Sequence, residues 1–238
     1  MNKCTTCNSD TIGEYCHNCG QKTNLERINW NYIKHEIVHL LHFEKGFFYT
    51  IQELLLRPGM TVKVFLTKNR NRIVKPIIFI ILTSLIYTLI NNYFHIDEQY
   101  IQSEMGKRPG IDMMMNWVRE HYGYSNIMMS TLIAFFIKIL FKNYKLNIYE
   151  ILILLCYVMG MSMLILTIVG LIQGLFKLDL YFIGFLLATI YTIFAITDFF
   201  DKRKFVNYVK AFSGYILGSI TFYFLLGLIA VIYDRLIK

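Results

Sequence analysis

Five apolar stretches after residue 73 limit what this chain can become. They run over Val74–Tyr93, Tyr122–Phe141, Ile148–Gly174, Leu178–Phe199 and Ala211–Tyr233. A helix that crosses the hydrocarbon of a bilayer needs about 20 apolar residues, and each stretch is near or above that length. Backbone N–H and C=O groups find no water in hydrocarbon, and the helix satisfies them within one segment. The expected fold class is therefore an all-α membrane protein, with a helical transmembrane bundle of about five spans over residues 73–238. Lys138 interrupts the second stretch, but it lies near one end and can snorkel to the interface. Four spans and one re-entrant segment is the alternative. Only 17% of the residues are charged, against about 25% in a soluble domain. The first apolar run starts too late for a cleavable leader, so the first span is expected to act as its own insertion signal.

Charge placement predicts the orientation. Lys63, Lys68, Arg70, Arg72 and Lys75 precede the first span. Lys142 and Lys145 follow the second, and Lys202, Arg203, Lys204 and Lys210 follow the fourth. The long loop near 94–121 is mixed, with Asp97, Glu98, Glu104, Asp112 and Glu120 against Lys107, Arg108 and Arg119. Basic loops stay in the cytoplasm, so the mixed loop is expected outside and the N-terminus inside. Arg235 and Lys238 then fall outside, against the rule. The net charge of +8 points to the lipid bilayer and its anionic headgroups, with no nucleic acid expected as a partner.

Residues 1–24 form a polar, turn-rich head built on Cys4-x-x-Cys7 and Cys16-x-x-Cys19. Each Cys-x-x-Cys places two thiolates on one turn, here closed by Asn8 and Gly20. Two such turns make the tetrahedral sulfur cage of a structural zinc. The cage needs reduced thiols, which agrees with the cytosol. With all four positions filled by protein, the metal is expected to fold a segment too short for a core. A redox dithiol or an iron–sulfur site is the alternative. Cys156 lies inside the third span and reads as a small buried apolar residue.

Residues 25–72 read as amphipathic, interfacial helices. His35-Glu36-Ile37-Val38-His39 fits H-E-x-x-H, in which two imidazoles one helical turn apart grip a metal and Glu36 activates water. His42 extends the histidine edge, while Trp30, Ile33, Ile37, Leu40 and Leu41 make an apolar one. The pattern has three readings: a hydrolase with Glu36 as base, a non-catalytic second metal or proton-sensitive site on His35, His39 and His42, and a polar face docking other cytosolic parts. Third-ligand candidates are few: His42, Glu44 and Glu53 nearby, with His95 and His121 across the membrane. Farther on, Phe47–Leu56 is bounded by Gly46 and Pro58-Gly59, is too short to span, and suits an in-plane interfacial helix. Lys68-Asn69-Arg70-Asn71-Arg72 follows, either a lipid-binding run or a topology determinant.

Together these residues resemble an uncharacterised bacterial family of polytopic membrane proteins, a domain of unknown function. The likeness rests on the cysteine pairs with Tyr15-Cys16-His17-Asn18-Cys19-Gly20-Gln21-Lys22, on His35–His39, and on Glu44-Lys45-Gly46-Phe47 with Tyr49-Thr50. It extends to Glu53-Leu54, Arg57-Pro58-Gly59 and Pro76. The resemblance implies a zinc-ribbon head on a membrane bundle in the bacterial inner membrane, and no established reaction.

Three functions compete on these grounds. The first is a membrane-held binding, assembly or sensing module that meets a cytosolic protein partner through its zinc head. The second is a transporter or channel, which would need polar groups at depth; Asn91, Asn92, Gln173, Asp179, Asp198 and Glu150 are the ones on offer. The third is the metal-dependent hydrolase. Small residues four apart (Gly170 and Gly174, Gly184 and Ala188, Gly214 and Gly218) serve either packing within one bundle or a homo-oligomer interface.

Overall fold

The computed structural model describes residues 2–4, 6–11, 13–20, 46–94, 96 and 109–236. Near the N-terminus, strands β1 (Asn2–Lys3) and β2 (Asp10–Thr11) pair antiparallel, Asn2 opposite Thr11 and Lys3 opposite Asp10. The other regular elements among the described residues are helical. They are α1 (Phe47–Leu56), α2 (Pro58–Thr67), α3 (Pro76–Phe94), α4 (Pro109–Glu120), α5 (Tyr122–Leu140), a short 3-10 turn at Lys142–Tyr144, α6 (Ile148–Phe176), α7 (Tyr181–Phe200) and α8 (Phe205–Leu236).

Five of these, α3 and α5 to α8, are long and apolar enough to cross a membrane. The second apolar run is one continuous 19-residue helix, which makes five candidate spans among the described residues. Lys138 sits exposed two residues from its end. The chain's three prolines, Pro58, Pro76 and Pro109, each open a helix. That position suits proline, because its missing N–H would have had no partner there.

The central element is α6. Its start is fixed by a capping box, with the Asn147 side chain accepting from the Glu150 amide and the Glu150 carboxylate accepting from Asn147 N–H. Ile151, Leu154, Leu155, Tyr157 and Val158 are buried around it. The main core gathers Phe79 of α3, Ile133 and Ile137 of α5, Ile196 and Phe199 of α7 and Ala211 of α8 on those residues.

Two helices differ from the sequence reading. α8 begins at Phe205, six residues before the last apolar run. Its polar first turns are anchored rather than broken: Asn207 Nδ2 donates to the Asp201 carbonyl at 2.9 Å and to Tyr144 Oη at 3.2 Å, and Lys210 lies over the Phe141 ring. The loop near 94–121 contains α4, an amphipathic helix whose Val118 packs with Phe222 and Leu226 of α8.

The basic segments meet at one end of the bundle. The α1–α2 hairpin, the Lys68–Lys75 link, the α5–α6 turn and the α7–α8 turn all lie there. The Tyr157 hydroxyl donates to the Val74 carbonyl at 2.7 Å, Lys63 stands over the Phe199 ring, and Phe141 stacks on Phe200. α4 and the ends of α3, α6 and α8 make the opposite end, where Ile96 and Phe94 fill the space beside Gly170 and Gly174. The other small residues also serve the bundle: Gly184 faces Val169 and Leu166, while Gly214 and Gly218 face Ile137 and Ile133.

A repeated device docks a short helix at each end. At the basic end, Gly59 N–H of α2 donates to Asp198 Oδ2 of α7 at 2.9 Å. At the other, Gly110 N–H of α4 donates to Asp234 Oδ1 of α8 at 2.8 Å. A carboxylate in the last turn opposes its own helix dipole, but each here faces the positive N-terminus of another helix. Asp198 also pairs with Lys202 at 2.8 Å, and its side chain is 8% exposed. That contact holds the Lys202 ammonium above its ordinary pKa. Asp198→Ala strips the Gly59 donor of its partner and should cost about 1–3 kcal/mol. Lys202→Ala, at an exposed partner, should cost less than about 1 kcal/mol. Thermal unfolding of both variants in detergent separates the two; equal losses would contradict the assignment.

Candidate functional site

The head is organised around four thiols. The Cys4 amide donates to the Ser9 carbonyl at 2.9 Å, extending the β1–β2 ribbon into the first Cys-x-x-Cys turn. Each turn then closes with the same bond. Asn8 N–H donates to the Cys4 carbonyl at 3.0 Å, and Gly20 N–H to the Cys16 carbonyl at 2.8 Å. Asn8 (φ 59°) and Gly20 (φ 68°) both sit in the left-handed region, which glycine and asparagine adopt most readily. Two equivalent knuckles result, and their sulfurs converge.

The Sγ atoms of Cys4, Cys7, Cys16 and Cys19 all lie within 4.8 Å of one another. Cys4 and Cys19 approach to 3.5 Å, as do Cys7 and Cys16. These gaps are far beyond a disulfide bond of about 2.05 Å. Sulfurs at tetrahedral corners about 2.3 Å from a common ion would stand roughly 3.8 Å apart. The four thiols are therefore close enough to hold a metal ion. Cys4 and Cys16 are buried and Cys19 is exposed. Thiolate is favoured: amides of Cys7 and Thr6 lower the pKa of Cys4, and the Ser9 hydroxyl, followed by the Ser9 amide, brings Cys7 down to about 6. Ser9 also links the knuckles, since Asn18 Nδ2 donates to its Oγ at 3.0 Å. Nothing in the cysteine spacing singles out Ser9 or Asn18.

His35, Glu36, His39 and His42 lie outside the described residues, as does His95. Of the other candidate ligands, Glu53 is held by Arg57 at 2.9 Å and Arg72 at 3.8 Å, and His121 stacks on Trp117 at the opposite end of the bundle. Three of the polar groups weighed for transport have roles in the fold's own contacts. Glu150 caps α6, Asp198 caps α2, and Gln173 Oε1 accepts from Leu180 N–H at 3.3 Å.

The α1–α2 hairpin is latched to the bundle by the residues that carry the family resemblance. Thr50 Oγ1 donates to the Gly46 carbonyl at 2.8 Å and accepts from Val74 N–H at 2.9 Å. Tyr49 takes the Arg72 guanidinium on its hydroxyl and ring. The Leu54 carbonyl accepts from the Tyr191 hydroxyl at 3.0 Å. Thr50, Leu54, Val62 and Phe65 are buried, while Phe48, Leu55, Leu56 and Met60 remain exposed. One face of the hairpin thus enters the core and the other offers apolar surface. Below it, a pocket of about 240 Å³ is lined by Arg57, Lys68 and Arg72 together with Glu53.

Fold and site define a multi-pass helical membrane protein with a small cysteine-clustered head. A family described as protein of unknown function (DUF3667) matches over residues 44–88. That segment is the hairpin, its link and the first turns of α3, so the latch is the part this chain has in common with that family; the cysteines lie outside the match. No curated protein and no solved structure matches the chain.

Proposed function

We propose that this chain is a multi-pass protein of a bacterial inner membrane whose thiol cluster carries a structural zinc on the cytosolic side. In this reading it works as a membrane-held module that docks or assembles a cytosolic protein through its head. The observation that carries it is the closure of the thiol cluster. Four sulfurs from two matched knuckles lie within 4.8 Å of one another; a tetrahedral ion held by all four would keep no open position for substrate, which favours scaffolding over catalysis. The gathering of basic loops at one end supports a cytoplasmic orientation for that end, and free thiols suit a reducing compartment.

Two measurements test this. In intact cells, a thiol reagent that cannot cross the inner membrane should leave the exposed Cys19 unmodified, and should modify it after lysis and zinc chelation. Crosslinking in membranes followed by purification should recover a cytosolic protein with the wild-type chain and lose it with Cys16→Ser/Cys19→Ser. Capture of the same partner by both forms would end the docking reading.

A further inference from the structure

The bundle contains a mostly apolar cavity with a few polar side chains in its wall. α8 packs closely on α5, because Gly214 and Gly218 admit Ile137 and Ile133. α7 packs on α6 through Gly184 and through the Ser162–Thr192 hydroxyl pair at 2.8 Å. α7 and α8 meet where their short connecting turn joins them, with the Thr197 hydroxyl directed at the Asn207 carbonyl. Toward the other end, the space between the two pairs is a cavity of about 260 Å³, closed over by Met115, Val118 and Arg119 of α4. That is far more room than one water needs.

Three helices bring polar atoms to this space, and those of α5 are unpartnered. Ser125 Oγ and Asn126 Nδ2 of α5 have no hydrogen-bond partner among the described residues, whereas the Thr189 hydroxyl of α7 and the Ser219 hydroxyl of α8 meet the Tyr215 hydroxyl in the same wall. Ser125 is 4% exposed and Asn126 3%. Polar atoms left unpaired at this depth are costly, since hydrocarbon offers them nothing. A bundle selected for packing alone would place apolar side chains at these positions. The rest of the wall is mostly apolar, including Met159 and Met163. Phe185 and Tyr223 line the cavity and are also half exposed on the outer surface, so it opens toward lipid. Among the lining residues the only charged one is Arg119. Its guanidinium donates to Asn116 Oδ1 and retains further N–H donors.

We propose that this cavity binds a diacyl phospholipid from the bilayer. The lipid phosphate lies at Arg119. Its ester carbonyls accept from Asn126 Nδ2 and from the Ser125 hydroxyl. An acyl chain leaves between α7 and α8 past Phe185. An uncharged wall suits ester oxygens, and an amphiphile suits a site with one cation at its edge and hydrocarbon at its mouth.

The probe is phosphatidylglycerol with a diazirine near the carboxyl end of one acyl chain, in nanodiscs holding the full-length protein. Photolabel should concentrate on cavity residues of α6 to α8. Unlabelled phosphatidylglycerol should displace it, whereas diacylglycerol and glycerol phosphate should not. Arg119→Gln and Asn126→Leu should each lower cavity labelling about tenfold, as expected for losing a charge-assisted or buried hydrogen bond. Asn126→Leu keeps the branched shape and heavy-atom count and removes an unpaired amide, so it should also melt higher than wild type in lipid-free detergent. Should either variant fail to purify as a single species, Ser125→Ala replaces it, with an expected loss of about threefold. Label spread evenly over the outward faces, or cavity labelling unchanged by the variants, overturns the proposal. Displacement by diacylglycerol removes the phosphate assignment, and displacement by glycerol phosphate removes the lipid; either result also overturns it.

Discussion

Gly59→Ala should be the most damaging single-methyl change in the bundle. A β-carbon at residue 59 would stand 2.3 Å from the Asp198 carbonyl carbon and 2.3 Å from the Phe199 amide nitrogen. Both are backbone atoms in the last turn of α7, so no rotamer change relieves the clash. α2 would have to lift, and the 2.9 Å bond from Gly59 N–H to Asp198 would go first. The anchors on the same latch would follow, with Tyr191 on the Leu54 carbonyl and Tyr157 on the Val74 carbonyl. Overpacking alone costs about 1–3 kcal/mol, and a buried donor left unpaired adds about 1–3 kcal/mol. Together these should lower the melting point by roughly 5–15 °C for a chain of this size. Gly227→Ala is the matched control. It adds the same methyl to α8 with nothing within 4 Å, and should be neutral or stabilise by up to about 1 kcal/mol through helix propensity. Thermal unfolding in detergent reads both. Similar melting points for the two variants would mean that α2 does not dock on α7 as described.

The same residue marks the boundary of what the sequence could reveal. Arg57-Pro58-Gly59 reads locally as a helix break, and a break is found there, between α1 and α2. That Gly59 also serves a carboxylate 139 positions away has no local signature. The spans were legible because hydropathy accumulates over twenty residues, and the helices begin and end within a few residues of the apolar runs, except at the start of α8. There the reading stopped at Lys210, whereas a single charge beside an aromatic ring does not end a helix. Asn8 and Gly20 were legible for a different reason, since a turn that needs positive φ limits the residue types that can close it. α4 was missed because the mixed charge of its loop hid a 12-residue amphipathic pattern opened by Pro109-Gly110. Asp198 and Glu150 looked like candidates for transport because isolated acids near apolar runs suggest function; in the fold they cap helices. The unpartnered atoms of Ser125 and Asn126 could not have been found from sequence, since hydroxyl and amide side chains in a span usually bond their own backbone or a neighbour.

Serine at Cys16 and Cys19 should abolish metal retention and unfold the head while the bundle stands. Among the described residues of the head only Cys4, Thr11 and Cys16 are buried, and its strands are two residues each. Such a segment has no apolar core to offset the entropy of ordering its backbone. Structural zinc in small thiolate sites supplies about 10–16 kcal/mol of apparent binding energy near neutral pH. Removing half the ligands should therefore leave the head unfolded, not merely weakened. The bundle's own contacts, from the α6 capping box to the Asp198 dock, involve none of these cysteines, so its thermal transition should be unchanged. Acid should act like the double substitution. The pKa of Cys7 is depressed to about 6 by Ser9, so the stabilisation it gives is fully present above the ordinary thiol pKa and is lost as pH falls through about 6. Release of a bound metal should follow, because protons then compete for the ligand sulfurs. Elemental analysis across pH, with limited proteolysis of residues 1–24, reads both effects. A wild-type head that keeps its protease resistance after treatment with a metal chelator would show that a metal is not what folds it.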